Sequence, residues 1–365
     1  TSTVFDIAEW EVTGGVSYTF PEFDPAAATD SFLIGRRKIV VCEGDPAAFR
    51  AAYGVSEAIQ VFGPWTGSLD NAGERVTLRD KNGVIVASVR YDDGHPWPVA
   101  PDGAGHSLVL TDSERATDDY RSWGPSSRVG GFPGNSDSAV VSALFINEVH
   151  FDENGDVDWI EIHNSSQTPQ SVDGFFLSGA RGFGDKVNIS GSVPGNGFLS
   201  FDVGFSNNSV AFLVDANNVV RSAVDYDRDT GRDHAAAYPD GSTDFYSSAQ
   251  GSRDAPNNPD RETGVVINEL MVEPPSGHRD GEFIELYNKG GSGVDMSGWQ
   301  ISEGVSFRFP DGAVIDPGEH VIIAANQRIT GAGFPQARII GQYSGNLNND
   351  NELLRIEDAW GNLVD

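Results

Sequence analysis

The chain is poor in cysteine and in basic residues. Its 365 residues include one Cys, which excludes an intrachain disulfide bond. Lys and Arg together number 24 against 54 Asp and Glu, and the formal net charge is −30. A nucleic-acid-binding protein needs a basic face to neutralise phosphates, so this composition argues against one. An acidic surface instead favours solubility in salty media and can bind divalent cations.

The familiar catalytic motifs are also missing. The sequence contains no G-x-S-x-G nucleophile elbow, no phosphate-binding P-loop and no G-x-G-x-x-G fingerprint. Its seven His show neither an i,i+4 pair nor a zinc-ligand spacing. No apolar run is long enough for a transmembrane helix. We therefore expect a protein that is not an enzyme and that needs no catalytic cofactor.

The chain contains an internal repeat of about 120 residues. Ile146–Val149 (INEV) recurs as Ile267–Leu270 (INEL), a shift of 121 residues. Trp159–Asn164 (WIEIHN) recurs as Phe283–Asn288 (FIELYN), a shift of 124 residues. A period of this size indicates tandem whole domains, because solenoid units are much shorter.

Later anchors extend the repeat to the start of the chain. In each repeat an aromatic residue stands at the start of the same predicted strand. In each repeat an Asp also stands at the end of a second predicted strand, and the residue three positions after this Asp is Gly or Asn. These positions are Trp10, Phe175 and Trp299 for the aromatic anchor, and Asp80, Asp215 and Asp358 for the acidic anchor. The anchors define three repeats, each predicted to be one domain: repeat 1 (1–137), repeat 2 (138–262) and repeat 3 (263–365).

Two of these repeats are expected to be incomplete. Repeat 1 lacks the INE and WIE anchors, and so its first strands; repeat 3 lacks a counterpart of the last strands of repeat 1. A sandwich without these strands exposes unpaired backbone edges. We expect either that the natural chain continues or that a neighbouring copy supplies the strands, which would build a head-to-tail filament.

Period-two alternation dominates the pattern. Val16, Tyr18 and Phe20 alternate with polar residues, which predicts a strand with one apolar face. Asp45–Gly54 is the best helix candidate, with an Asp N-cap, Pro in the first turn and a C-terminal Gly; Asn326–Gly333 is a shorter counterpart. Cys42, in an apolar run, is expected to be a buried small hydrophobe. Seven to nine short strands per repeat predict an all-β, immunoglobulin-like β-sandwich.

The order of these anchors resembles the lamin tail domain. The resemblance consists of INE, a variable acidic loop, (W/F)IE(I/L)xN, a G(W/F)xxS segment, FP, a Pro-Gly turn before an apolar strand, and an Asp–Gly hairpin. It covers essentially the whole chain, with repeat 2 the most divergent. The resemblance implies an immunoglobulin-like sandwich and offers no catalytic residues. It further implies tandem use in large secreted proteins of bacteria or archaea.

The densest acidic loop is a candidate calcium site. Asp152, Asn154, Asp156 and Asp158 place oxygens at alternate positions, as a hard cation requires. The alternative interpretation is a polar hairpin, since the corresponding loop of repeat 3 is not acidic. Asp225–Asp233 is a second stretch of alternating Asp, which its own Arg residues could neutralise.

Other surface features point to further ligands. Trp65, Trp97, Trp123 and Trp360 are expected to be exposed and could stack on carbohydrate, although most aromatic residues of sandwiches belong to the core. Asn164, Asn188 and Asn207 each begin an N-x-S glycosylation sequon.

These observations favour a non-enzymatic structural or adhesive protein outside the cell or at its surface. Its expected partners are other copies of itself or flanking repeats, with carbohydrate as a further ligand, and with neither nucleic acid nor membrane insertion. The alternative is a substrate-binding or targeting arm of a larger secreted hydrolase, such as a nuclease, phosphatase or kinase-like enzyme.

Overall fold

A computed structural model describes residues 4–22, 32–34, 38–137, 140, 142–206, 209–226, 231–259, 261–275, 279–349 and 352–365. The chain forms two compact units. Unit 1 comprises Thr1–Ile146 and Ile162–Asp225, and unit 2 comprises Asn147–Glu161 and Tyr226–Asp365.

Short strands make up most of the regular structure. The first eleven are β1 (Val4–Asp6), β2 (Glu11–Thr13), β3 (Val16–Thr19), β4 (Phe32–Ile34), β5 (Ile39–Val41), β6 (Gln60–Phe62), β7 (Thr66–Gly67), β8 (Glu74–Arg79), β9 (Ile85–Tyr91), β10 (Leu108–Leu110) and β11 (Trp123–Pro125). The next eleven are β12 (Leu144–Phe151), β13 (Val157–Asn164), β14 (Gln170–Ser171), β15 (Phe176–Ser178), β16 (Val187–Asn188), β17 (Ser192–Val193), β18 (Phe198–Phe205), β19 (Val210–Val214), β20 (Val220–Asp225), β21 (His234–Ala237) and β22 (Phe245–Ser248). The last ten are β23 (Val265–Met271), β24 (Phe283–Asn288), β25 (Val294–Asp295), β26 (Gln300–Ser302), β27 (Val305–Arg308), β28 (Val314–Ile315), β29 (His320–Ala324), β30 (Ile339–Gln342), β31 (Ser344–Gly345) and β32 (Arg355–Glu357).

The two predicted helices are present. Helix α1 (Pro46–Tyr53) begins after Asp45, whose side chain accepts a hydrogen bond from the backbone N–H of Ala48 at 2.8 Å. It ends at Gly54 in the left-handed conformation, at φ 62°. Helix α2 (Gln327–Gly333) begins after the capping residue Asn326. Among the described residues, no helix has both the length and the apolar character that crossing a membrane requires.

Unit 1 contains the sheets of repeat 1 and two sheets of repeat 2. One has five strands in the order β7-β3-β2-β8-β9, and another has four in the order β16-β15-β19-β20. Strands β5 and β6 are parallel and are joined through α1, as a parallel connection requires. Ile7, Phe20 and Phe62 form a buried cluster against which apolar residues of β2, β3, β5 and β8 pack.

Unit 2 contains the clearest sandwich. The sheets β23-β24-β29-β30 and β31-β27-β26-β32 enclose one core, with Ile284 and Ile323 from the first sheet and Ile301 and Ile356 from the second. Strands β29 and β30 are parallel and are joined through α2, in the same arrangement as β5, α1 and β6. Unit 2 also includes residues 147–161, which hold parts of β12 and β13. These two strands form a sheet with β21 and β22 in the order β13-β12-β21-β22.

The predicted alternation is also found. Val16 and Phe20 are buried while Ser17 and Thr19 are exposed. Cys42 is buried, as expected, and its thiol donates to the carbonyl of Gly44. The predicted all-β, immunoglobulin-like sandwich architecture is confirmed. The boundaries of the three repeats as separate domains stay a prediction.

The three aromatic anchors have the same backbone environment. The N–H of Trp10, Phe175 and Trp299 donates in each case to the carbonyl three residues earlier, at 3.0–3.1 Å. Their carbonyls accept from Phe20, Ile189 and Phe309. Burial differs, because Trp299 is 4% exposed whereas Trp10 and Phe175 are only half-buried.

Candidate functional site

The predicted calcium loop is a hairpin turn between β12 and β13. Oδ1 of Asp152 accepts from the backbone N–H groups of Asn154 at 2.8 Å and Asp156 at 2.9 Å. These hydrogen bonds, above all the one from Asp156, hold the pKa of the Asp152 carboxyl below its ordinary value. The Asp158 side chain is 58% exposed and lies 3.4 Å from Nδ1 of His150. Calcium binding at Asp152, Asn154, Asp156 and Asp158 stays a prediction.

The same turn occurs at Asp80, Asp215 and Asp358. Each carboxylate accepts from the backbone N–H groups two and four residues later, at 2.8–3.0 Å. The residue three positions after each Asp has a positive φ, which Gly and Asn tolerate best. The recurring Asp of the sequence is therefore a turn-forming residue that caps its own hairpin.

The structure gives no second support for a metal site. Among the residues that the structure describes, no group of three or more His, Cys, Asp or Glu side chains is placed to hold a metal ion. The other candidate loop, Asp225–Asp233, includes residues 227–230, which lie outside the described residues.

The expected exposed tryptophans are mostly covered. Trp97 is only 9% exposed, so its expected exposure is wrong, and Trp65 and Trp123 are half-buried. Trp360 is 42% exposed, and the guanidinium of Arg232 lies 4.1 Å from its ring centre. A carbohydrate site stays a prediction and would depend on Trp360.

The last Asn of the WIEIHN anchor is structural. Asn164 is fully buried, and its Nδ2 donates to three backbone carbonyls at 2.9–3.1 Å. Nδ2 of Asn288 donates in the same way to two carbonyls of the corresponding loop in repeat 3. A buried, fully bonded amide cannot carry a glycan in the folded chain. Of the other sequons, Asn188 is exposed and Asn207 lies outside the described residues.

The most unusual polar group is the carboxyl of Glu161 in β13. Its side chain is fully buried, with one oxygen accepting from Nδ2 of Asn147 at 3.0 Å and the other from the backbone N–H of Asp254. Burial raises the pKa of Glu161 to about 8, and the nearby Glu148 carboxylate contributes to the rise. This rise favours the protonated, uncharged form of Glu161 in the folded chain.

Glu148, on the neighbouring strand β12, is equally buried. Its carboxylate accepts from the backbone N–H of Ser252 at 3.1 Å and from the Ser252 hydroxyl at 3.0 Å. Nδ1 of His234 lies 3.0 Å from Oε1 of Glu148, close enough for an ion pair but without hydrogen-bond geometry. The His234 ring lies 4.7 Å from that of His150, whose pKa is lowered by burial and by His234.

Two Asn side chains complete the network. Oδ1 of Asn147 accepts from the backbone N–H of Gly241 at 2.9 Å. Nδ2 of Asn257 donates to the carbonyls of Asn147 and Ala237 at 2.8 and 3.0 Å. We call this network the carboxylate clasp. Its members are Asn147, Glu148, Glu161, Ser252, Asp254 and Asn257.

Three clasp residues, Asn147, Glu148 and Glu161, recur in repeat 3 as Asn268, Glu269 and Glu285, but the arrangement there is open. Nδ2 of Asn268 donates to Glu285 at 2.8 Å, which repeats the bond between Asn147 and Glu161. Asn268 and Glu269 are nevertheless exposed, whereas Asn147 and Glu148 are fully buried. Nδ1 of His320 lies 2.9 Å from Glu285. The same motif is thus closed in repeat 2 and open in repeat 3.

The clasp holds one segment of chain against two strands. Its acceptors lie on β12 and β13, and its donors lie mainly in the loop after β22. Backbone amides pointing at carboxylates form strong, oriented hydrogen bonds. The sequence marked INE and WIE as anchors without showing the clasp, although carboxylates inside otherwise apolar strands were a signal for it.

The comparison with known families agrees with the geometry. Residues 258–365 match the family model of the Lamin Tail Domain. The match covers repeat 3 and supports the resemblance drawn from the motifs. A search of curated proteins finds no match to the chain.

Proposed function

We propose that this chain is a non-enzymatic structural or adhesive protein that works outside the cell or at its surface. Residues 258–365 carry the match to the Lamin Tail Domain, a non-catalytic immunoglobulin-like family. The function of such a module depends on its sites rather than on its fold.

The carboxylate clasp is the observation that carries the proposal. An acid-base catalyst needs a titratable group that can reach substrate. Glu148 and Glu161 are fully excluded from solvent, and both accept hydrogen bonds from backbone amides of the same chain. Their chemistry is directed at holding a loop in place, which is the task of a structural module.

The test is a hydrolase panel on the purified 365-residue chain. Nucleic acids, phosphoesters and glycans are the substrates, because these are the classes that a secreted hydrolase would cleave. We expect no turnover above that of a blank without protein. An activity that a single point substitution abolishes would overturn the proposal.

Cellular position is tested separately. Antibodies against the chain should label intact cells of the source organism, and protease added to intact cells should remove that label. Label that appears only after the cells are permeabilised would contradict an extracellular or surface role.

A further inference from the structure

We propose that the Asp turn of one repeat is the docking site for the preceding repeat of the same chain. The Asp turns meant are Asp215–Val219 in repeat 2 and Asp358–Asn362 in repeat 3, each closed by the carboxylate of its first residue. The inference rests on the structural role proposed above and names the contact that joins consecutive modules.

The first junction is an apolar contact within unit 1. Val99, Ala100 and Ala104 of repeat 1 are at most 6% exposed. They belong to one buried cluster with Val214 and Val220, the residues that directly flank the Asp turn of repeat 2. A cluster built from two repeats withdraws apolar surface of both from water, which favours the docked arrangement.

Polar contacts fix the position of the same segment. The backbone N–H of Val220 donates to Nε2 of His106 at 3.2 Å, and the imidazole is 5% exposed. Since Nε2 accepts a hydrogen bond, Nδ1 is the nitrogen that donates to the carbonyl of Ser126, at 2.7 Å. Asp102 of repeat 1 also pairs with Arg181 of repeat 2 at 2.6 Å.

The second junction lies within unit 2 and uses the corresponding turn. The backbone N–H of Ser247 in repeat 2 donates to Oδ1 of Asn362 at 2.5 Å, and Nδ2 of Asn362 lies 3.4 Å from the Ser247 carbonyl. Both residues are at most 6% exposed. The guanidinium of Arg232 lies 4.1 Å from the ring centre of Trp360, inside the same turn.

The two junctions follow one physical rule. Strands β20 and β22 are the terminal strands of their sheets among the described strands. In each case an amide of that terminal strand, at Val220 or at Ser247, donates to a side chain of the adjacent repeat. Docking therefore satisfies backbone groups that a strand edge leaves open. The turn Asp acquires a second role, since it holds the shape of the surface on which the preceding repeat docks.

Docking at the turn restrains the linker between two repeats, and a distance measurement tests this. Spin labels are placed at Glu153→Cys in repeat 2 and Gln336→Cys in repeat 3, two exposed positions of unit 2, with Cys42→Ala removing the native thiol. Pulsed electron–electron double resonance on the full chain should give one narrow distance distribution.

Variants of the contact should broaden that distribution. We expect Arg232→Ala with Asn362→Ala to increase its width by about twofold or more, because the linker then moves without the docking contact. Arg253→Ala is the matched control, since it removes a guanidinium that lies 5.0 Å from the ring centre of Trp159 within repeat 2. It should leave the width unchanged.

Hydrogen exchange of the two edge amides tests each junction locally. The amide of Ser247 should exchange about tenfold faster or more in Asn362→Ala, and the amide of Val220 should do the same in His106→Leu. The amide of Phe212, in the interior strand β19, should change less in His106→Leu. Unchanged exchange at both edge amides would overturn the proposal.

The possible outcomes separate this proposal from the structural role. A broad distance distribution in the chain without contact substitutions would overturn docking at the Asp turn and leave the structural role standing, since freely hinged modules can also be structural. Hydrolase activity would overturn the structural role, while a narrow distribution would still report the docked turn.

Discussion

Replacing Glu161 by Gln should remove a specific pH dependence of the stability of repeat 2. The carboxyl of Glu161 is fully buried, and its pKa is raised to about 8 in the folded chain. In the unfolded chain the same group titrates near its ordinary value of 4.5. Between these two values the folded chain keeps a proton that the unfolded chain has lost.

The sign and size of the effect follow from this difference in bound protons. The free energy of unfolding falls as pH rises wherever the folded state binds more protons, so Glu161 stabilises fully below pH 4.5 and loses its contribution as pH rises to 8. One pKa unit corresponds to about 1.4 kcal/mol of unfolding free energy, so the rise in pKa from 4.5 to about 8 corresponds to about 3–5 kcal/mol. Gln cannot ionise, so the variant should lack this slope. At low pH it should be less stable by about 1–3 kcal/mol, because an amide nitrogen cannot accept the hydrogen bond from Asp254.

Urea unfolding of both proteins at several pH values between 5 and 8 measures the effect. The informative quantity is the difference in free energy of unfolding between wild type and variant, since other titrating groups cancel in it. The difference should shrink with rising pH and then change sign. Hydrogen exchange at the amide of Asp254 reports the same process locally. A difference that stays constant from pH 5 to 8 would refute the assignment of a protonated Glu161.

Three further substitutions test other parts of the structure. Trp299→Ala should cost about 3–5 kcal/mol in thermal or urea unfolding and Trp10→Ala clearly less, because only Trp299 is almost fully buried; equal costs would contradict the burial difference. Asn164→Ala should cost about 2–4 kcal/mol in urea unfolding, since it leaves three backbone carbonyls without their donor, and an effect below 1 kcal/mol would refute the structural role of Asn164. Burial alone would raise the pKa of Asp215, but hydrogen bonds from the amide of Val219 and from Arg221 lower it overall. The loss of unfolding free energy with falling pH below 3.8 should therefore be less steep in Asp215→Asn. An unchanged acid profile would refute this role of Asp215.

The sequence predicted the elements that depend on local chemistry. Helix α1 was predicted because Asp45, Pro46 and Gly54 each act within one turn of it. The strand from Val16 was predicted because alternation depends only on neighbouring residues. The turn at Asp80 was predicted as a hairpin for the same reason, since its carboxylate and the amides that donate to it lie within four residues of each other.

The sequence was less informative where burial depends on distant segments. Trp97 was expected at the surface, and the structure buries it next to Trp123, with the ring centres 6.3 Å apart. The clasp was not predicted either. The backbone donors Ser252 and Asp254 are separated from Glu148 and Glu161 by 104 and 93 residues, so neither period nor spacing could indicate them.

The two copies of the INE motif show what such a motif specifies. Asn147 and Asn268 each donate to the Glu of the neighbouring strand, so the local half of the network forms in both repeats. Asn147 is nevertheless fully buried and Asn268 is exposed. Since the residues and their local bond are the same, the difference must come from the segment that lies against them. A motif of this kind encodes an acceptor, and its burial in repeat 2 depends on the donors Ser252, Asp254 and Asn257.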